Sequence, residues 1–292
     1  MKVGAFQVSD SLPELYGPHA LAQLQPWIDV GGVGSMTMSL LEDHFHARLF
    51  GELNRPDSFF DYTRYRPIVH LVAGRRQIHV PNSFINYIRQ PDSNDFLLFH
   101  LLEPHMLGKV YADSVLKVLQ QFDVKRYCLI GSMYDAVPHT RPLIVTGRAS
   151  GSGPAEEELR ELGIQASAYE GPTTITILVS QEAPKYNIEV MSLIVHLPQY
   201  VRLEKDYAGT LRLMEVLCSL YNLPLNLEEV KHKAEEQNEE LNQAMEREPQ
   251  LKQAVEQLER YYETRVSTVE KEQTQLSPGI EEFLREATKR FE

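Results

Sequence analysis

Cysteine is almost missing from this chain of 292 residues, which has two, Cys128 and Cys218, both in apolar surroundings. That pair supports neither a disulfide framework nor a four-cysteine zinc site. Long apolar runs are missing too. None approaches the roughly 18 residues that a bilayer span requires, so no membrane partner is expected. Positive charge is in deficit, with 29 Lys and Arg against 41 Asp and Glu and a net charge of −12. Such a balance argues against an electrostatic grip on nucleic acid or anionic membrane. The opening Met1-Lys2-Val3-Gly4-Ala5 meets Gln7, Ser9 and Asp10 before any signal-peptide core develops, so a cytoplasmic location is expected. Catalytic vocabulary is sparse as well. There is no P-loop lysine, no Gly-x-Ser-x-Gly elbow, and no cysteine beside a histidine. No cofactor is expected.

What remains is an ordinary folded composition, 42% hydrophobic and 24% charged, long enough for a large α/β domain and a smaller addition. Charge is unevenly placed. Glu228 to Glu292 holds 17 acidic and 10 basic residues, net −7, and the preceding 227 residues hold 24 and 19, net −5. Glycine nearly disappears at the same point, which places a boundary near Leu223-Pro224-Leu225. Residues 1–224 are expected to form an α/β domain and 225–292 a helical region.

Short apolar runs alternating with helical patterns favour α/β over all-β. Strands are expected at Ala20–Leu24, Ala47–Leu53, Ile68–Ala73, Gln77–Val80, Phe96–Leu102, Arg126–Gly131, Leu143–Arg148 and Glu189–Leu197, with a shorter one at Gln165–Tyr169. The pair flanking Gly74-Arg75-Arg76 reads as a hairpin. Helical spacing recurs at Tyr111, Val115, Val118, Leu119 and Phe122, and at Tyr207, Leu211, Met214, Cys218 and Tyr221. Pro154 with three following glutamates starts a helix that Gly163 stops. Thr173–Val179 is β-branched, yet a crossover helix there would complete a βαβ unit with Glu189–Leu197, so a helix is expected. The tail predicts helices starting at Asn226 with a capping box to Glu229, resuming after Pro249, and again after Ser277-Pro278.

Four loops stand out: Asp29-Val30-Gly31-Gly32-Val33-Gly34, Pro138-His139-Thr140-Arg141-Pro142, Gly171-Pro172-Thr173 and Leu197-Pro198-Gln199-Tyr200. Backbone N–H groups of Gly31, Gly32 and Gly34 at a helix start can face an anion. A tight turn or close packing explains the same glycines more simply. His139 and Arg141 sit in a loop after a strand, where open sheets place ligands; proline bracing and a local carboxylate partner for Arg141 form the simpler account. His44, His46, His100 and His105 lack metal-ligand spacing and are read as surface or core histidines.

Taken together, four sets of residues resemble the proteasome assembly chaperone 2 family in its bacterial form. They are Trp27 to Gly34, Pro138 to Pro142 with Val145-Thr146-Gly147, Tyr169 to Ile175, and His196 to Val201. The first set carries Pro26 where members often have glycine. The resemblance covers roughly residues 15 to 225. It implies a three-layer α/β/α sandwich similar to nucleoside phosphorylases, without their catalytic residues, followed by a C-terminal helical appendage. It implies homo- or hetero-oligomers and a non-enzymatic assembly-chaperone role, with proteasome-like assemblies among the protein partners. Relatives dock through a hydrophobic–tyrosine–any C-terminal tripeptide; here Arg290-Phe291-Glu292 departs from it. The competing reading is an enzyme or a binder of an anion or nucleotide. It would use Asp29, Gly31, Gly32, Gly34, His139, Arg141 and Gly171.

Overall fold

The computed structural model describes residues 1–91, 93–167 and 169–267. Among the described residues, twelve strands and seven α-helices follow one another. The first stretch runs β1 (Lys2–Val3), β2 (Phe6–Val8), β3 (His19–Gln25), α1 (Val33–Phe45), β4 (Arg48–Leu53), β5 (Ile68–Val72), β6 (Arg75–His79), β7 (Phe84–Ile88) and β8 (Phe96–Leu102). Then come α2 (Gly108–Gln121), β9 (Arg126–Asp135), β10 (Val145–Ser150), α3 (Ala155–Glu161), β11 (Gln165–Ala166), α4 (Thr176–Glu182) and β12 (Glu189–Pro198). Three helices end the described chain: α5 (Tyr207–Tyr221), α6 (Glu228–Arg247) and α7 (Pro249–Ser267). The helix expected after Ser277-Pro278 and the tripeptide Arg290-Phe291-Glu292 lie outside the described residues.

Among the described residues ten strands form one sheet in the order β1-β2-β4-β7-β8-β3-β9-β12-β10-β11, and β5 pairs only with β6. The fold is α/β, a central sheet flanked by helices with the C-terminal helices after it, as the three-layer expectation required. At its centre β3 runs parallel to both β8 and β9, from His19 opposite Phe96 and Arg126. Toward β1 the pairings are antiparallel. β8 reads as a continuous apolar run because both its faces are covered: Phe96, Leu97, Leu98, Phe99 and Leu101 are all buried.

The chain divides into two compact units. The first comprises Met1–Asp29, Met38–Ile130 and Gly147–Leu193; the second comprises Val30–Thr37, Gly131–Thr146 and the chain from Ile194 on. In the first, Ala20, Ala22 and Leu24 of β3 pack with Leu97, Phe99 and Leu101 of β8 under α2, whose Tyr111, Val115, Val118 and Leu119 form the expected stripe. Arg126 is 3% exposed there and neutralised by Glu158 and Glu189. Glu189 also accepts the backbone N–H of Ala155, fixing the start of α3. In the second unit, Ala136, Tyr200, Val255 and Leu258 make a small core with Leu251 and Met245 against it.

Several expectations need adjusting. β9 runs on to Asp135 rather than ending at Gly131, and β10 begins at Val145 rather than Leu143. β1, β2 and β7 were not foreseen. Their runs are short, or broken by polar Asn86. The crossover segment is helical from Thr176, three residues later than Thr173, and no part of it joins the sheet. It does not close a simple βαβ unit, because β10 lies between β11 and β12. On α5 the buried face is Leu213, Met214, Val216 and Leu217, rotated from the expected stripe. Tyr207 and Leu211 of that stripe are half-buried beside α6, because α5 is apolar over most of its circumference and two surfaces cover it. At the start of α6, Asn226 Oδ1 accepts from the Glu228 N–H, but Glu229 pairs with Lys233 instead of completing a capping box.

Candidate functional site

Three loop motifs meet in the second unit. β9 and β12 end side by side in the sheet order, so the loop after β9 and the Leu197–Tyr200 motif emerge together. Tyr200 is 6% exposed. Its hydroxyl accepts the backbone N–H of His139 at 2.8 Å and lies 2.7 Å from the ring Nδ1. Asn242 Oδ1, 3.2 Å from Nε2, can only accept, so in the neutral ring Nε2 carries the proton and Nδ1 accepts from the Tyr200 hydroxyl. Burial lowers the pKa of His139, with Asn242 and Glu259 opposing, so the neutral ring is the stable form. Burial also raises the Tyr200 phenol.

Arg141 does not use a local carboxylate. Its guanidinium donates to Glu259 at 2.8 Å and to Glu263 at 2.9 Å, two residues one turn apart on α7. Thr140 Oγ1 donates to the same Glu259, and Tyr262 reaches back to the carbonyl of Pro142 at 2.9 Å. Two carboxylates on one guanidinium leave it little capacity to recruit an external anion.

The glycine loop is also occupied. Gly31 has φ +62°, a conformation that favours glycine, and a Cβ there would lie 2.7 Å from Asp206 Cβ. Its carbonyl accepts the Asp206 N–H at 2.8 Å. Gly32 (φ +62°) is closed off by the Glu204 carbonyl, and Gly34 is buried in the first turn of α1. Asp206 in turn caps α5 by accepting from the Gly209 N–H at 2.7 Å. Burial raises its pKa against those backbone donors. Asp29 and Gly171 belong to the first unit. There Asp29 accepts from Gln25 Nε2 at 3.2 Å, and Gly171 lies against the Tyr169 ring.

A third cluster joins Thr146 and His196, which stand in two of the sequence motifs, to Asp135, which no motif singles out. Asp135, His196 and Thr146 lie on β9, β12 and β10, three neighbouring strands. Thr146 Oγ1 is 2.8 Å from His196 Nε2, and His196 Nδ1 is 2.7 Å from Asp135 Oδ2. Arg265 of α7 donates to the same carboxylate oxygen at 2.6 Å. The order hydroxyl, imidazole, carboxylate is that of a nucleophilic triad. However, Thr146 is 4% and His196 5% exposed, so no reactant reaches the hydroxyl. The cluster ties three strands to α7.

Beside these groups a groove of about 540 Å³ opens between the 139–143 loop, α5 and α6. Leu143, Pro198, Val201, Leu211 and Leu241 give it apolar walls, and Arg212 and Lys231 stand on its lining. Arg212 donates to the Leu143 carbonyl at 3.3 Å and pairs with Glu215. Among the described residues no three His, Cys, Asp or Glu side chains gather to hold a metal, and no helix is long and apolar enough to cross a membrane.

The sequence model of the PAC2 family matches residues 23–245. The chain belongs to the PAC2 family. No curated protein matches it in sequence. Among solved structures, a Corynebacterium glutamicum protein of unknown function is 23% identical, with a TM-score of 0.80, and the match covers 90% of this chain and 98% of that one. A Mycobacterium tuberculosis proteasome-assembly chaperone homologue is 24% identical with a TM-score of 0.70, covering 80% and 98%. Pyrococcus furiosus PbaA, an archaeal homolog of proteasome-assembly chaperone, is 18% identical with a TM-score of 0.56, covering 85% and 99%. At these identities the likeness is one of fold. Of the residues that build this PAC2-family site, Glu259, Glu263 and Arg265 lie beyond the family match. Their only sequence signal is the i, i+4 spacing of the two glutamates beside the apolar Val255 and Leu258.

Proposed function

We propose that this PAC2-family chain is a non-enzymatic, protein-binding assembly factor that works in the cytoplasm as a homo-oligomer, with ring-forming subunits of the proteasome type as clients. One observation carries the non-enzymatic part: the side chains best suited to chemistry are consumed inside the fold. Arg141 is shared by two glutamates, His139 is held neutral between Tyr200 and Asn242, and Thr146 is buried beneath the His196–Asp135 pair. The client class rests on the relatives described as proteasome-assembly chaperone homologues. The phosphorylase-like sandwich serves, on this reading, as a scaffold without the phosphorylase reaction. Mixing the purified chain with 20S-type α subunits of its own host and following ring formation on native gels tests it. Ring intermediates should appear sooner, with the chain absent from the finished particle. Unchanged assembly kinetics would reject the client class.

A second reading, binding of an anion or nucleotide, is favoured only by the 540 Å³ groove beside Arg141 and Arg212. Arg141→Ala separates the two. If Arg141 is structural, the variant melts at a lower temperature, and inorganic phosphate or nucleotide fails to raise the melting temperature of the unaltered protein. A ligand-dependent rise in the parent that vanishes in the variant would establish the groove as a binding site.

A further inference from the structure

The β5–β6 hairpin stands apart from the rest of the sheet. All ten of its strand residues are exposed, and among the described residues β5 pairs with nothing but β6. The strands turn through Ala73 and Gly74, with φ of +49° and +76°, the mirror-image turn that suits a twisted ribbon. The register puts Val69 opposite Ile78, Leu71 opposite Arg76 and Val72 opposite Arg75, so Val69, Leu71, Ile78 and Arg76 share one face and Arg75 lies on the other. They are 57%, 74% and 68% exposed. A lone two-stranded ribbon is marginal in water, and an apolar face that exposed requires a cover.

The charge of the segment identifies the cover. From Tyr62 to Pro91 there are five arginines (Arg64, Arg66, Arg75, Arg76 and Arg89) and no Asp or Glu. With a net −12 for the whole chain, the remainder therefore carries −12 − 5 = −17. Among the described residues, no carboxylate pairs with Arg66, Arg75 or Arg76. Pairing hairpin to hairpin would bring these arginines together, so a like ribbon is a poor partner. An acidic surface suits them, and every copy of this chain has one. On α6, Glu235, Glu236, Glu239 and Glu240 are all exposed on consecutive turns.

We infer that the β5–β6 hairpin is an assembly arm that docks on the acidic α6 face of a second copy of this chain. Val69, Leu71 and Ile78 supply the apolar contact, Arg76 on the same face fixes the orientation against the glutamates, and Arg75 on the other face adds positive charge at the turn. The contact is heterologous, arm to helix, so each copy donates one arm and receives another, and the assembly closes into a ring or a reciprocal dimer. This rests on the homo-oligomer in the proposed function and names its surface.

Light scattering on the full chain tests it, with three variants: Arg75→Glu/Arg76→Glu, Glu239→Lys/Glu240→Lys, and Val69→Thr/Leu71→Thr/Ile78→Thr. Every substituted side chain is exposed, and circular dichroism with a melting curve checks that each variant is folded. The parent should scatter as an integer multiple of the monomer mass and each variant as a monomer. Mixing the two charge-reversed variants should restore association, because opposite charges again face each other. An oligomeric parent whose mass none of the variants changes would overturn the arm while leaving the homo-oligomer intact. A monomeric parent would overturn both. Loss of copurified nucleic acid in Arg75→Glu/Arg76→Glu, with no change in mass, would assign the arm to nucleic acid and overturn self-docking.

Discussion

Asp135 is a single carboxylate that receives hydrogen bonds from two basic side chains, His196 and Arg265. Burial alone would raise its pKa, but these partners outweigh burial and hold the carboxyl well below the usual range. Its folded pKa is therefore below its unfolded value of about 3.9. The stability it contributes is complete above that value and is lost as pH falls toward the folded pKa. Asp135→Asn should cost about 1–3 kcal/mol at neutral pH. Urea unfolding at about pH 7 and about pH 3 should then show the parent losing more stability than the variant over that interval. Parallel losses would mean that Asp135 does not set the acid sensitivity. Tyr200→Phe makes a second test, because it removes the acceptor of the His139 N–H and the partner of Nδ1 inside a buried site. It should cost about 1–3 kcal/mol by the urea midpoint. A cost below about 0.5 kcal/mol would show that water replaces the hydroxyl.

Among the elements, α5 depends most on one residue at its start. Asp206 caps it through the Gly209 N–H and donates its own backbone N–H to Gly31. Asp206→Ala should lower stability by about 1–2 kcal/mol, and Asp206→Asn should retain most of it, since an amide oxygen also caps. Equal losses in chemical unfolding would show that packing against Gly31, rather than the cap, sets the cost. The elements that were legible in the sequence share a cause. β8 is apolar along its length and α2 has a clean stripe, and both are buried in the way their patterns state. β7 was not legible, because Phe84-Ile85-Asn86-Tyr87-Ile88 mixes faces, and Asn86 is accommodated only through its bond to Glu42 at 2.7 Å. The helix α4 was legible by position and not by composition, since its β-branched residues alone argue for a strand. The site was legible as loops, through glycine, proline and histidine. Its closure was not, because no local pattern pairs Arg141 with residues 118 and 122 positions later.

At the scale of the molecule, the C-terminal helices share a compact unit with the loop after β9 and the end of β12. Val255 and Leu258 complete a core with Ala136 and Tyr200, and α7 supplies the partners of Arg141 and Asp135. Truncation at residue 224 should leave the first unit folded and destabilise the second. Hydrogen exchange should show protection retained at Phe96–Leu102 and lost around Ala136–Arg141. Full protection of both would mean that the helices are dispensable to the fold. The same contacts order events while the protein is being made. Arg141 leaves the ribosome about 120 residues ahead of Glu259 and Glu263, a wait of roughly 6 to 24 seconds at ordinary translation rates. Throughout that interval its guanidinium, the Asp135 carboxylate and the surface of Tyr200 have no α7 to meet. A newborn chain of this sequence therefore passes through a stage in which it needs sheltering itself, and that stage ends only when its last described helix is translated.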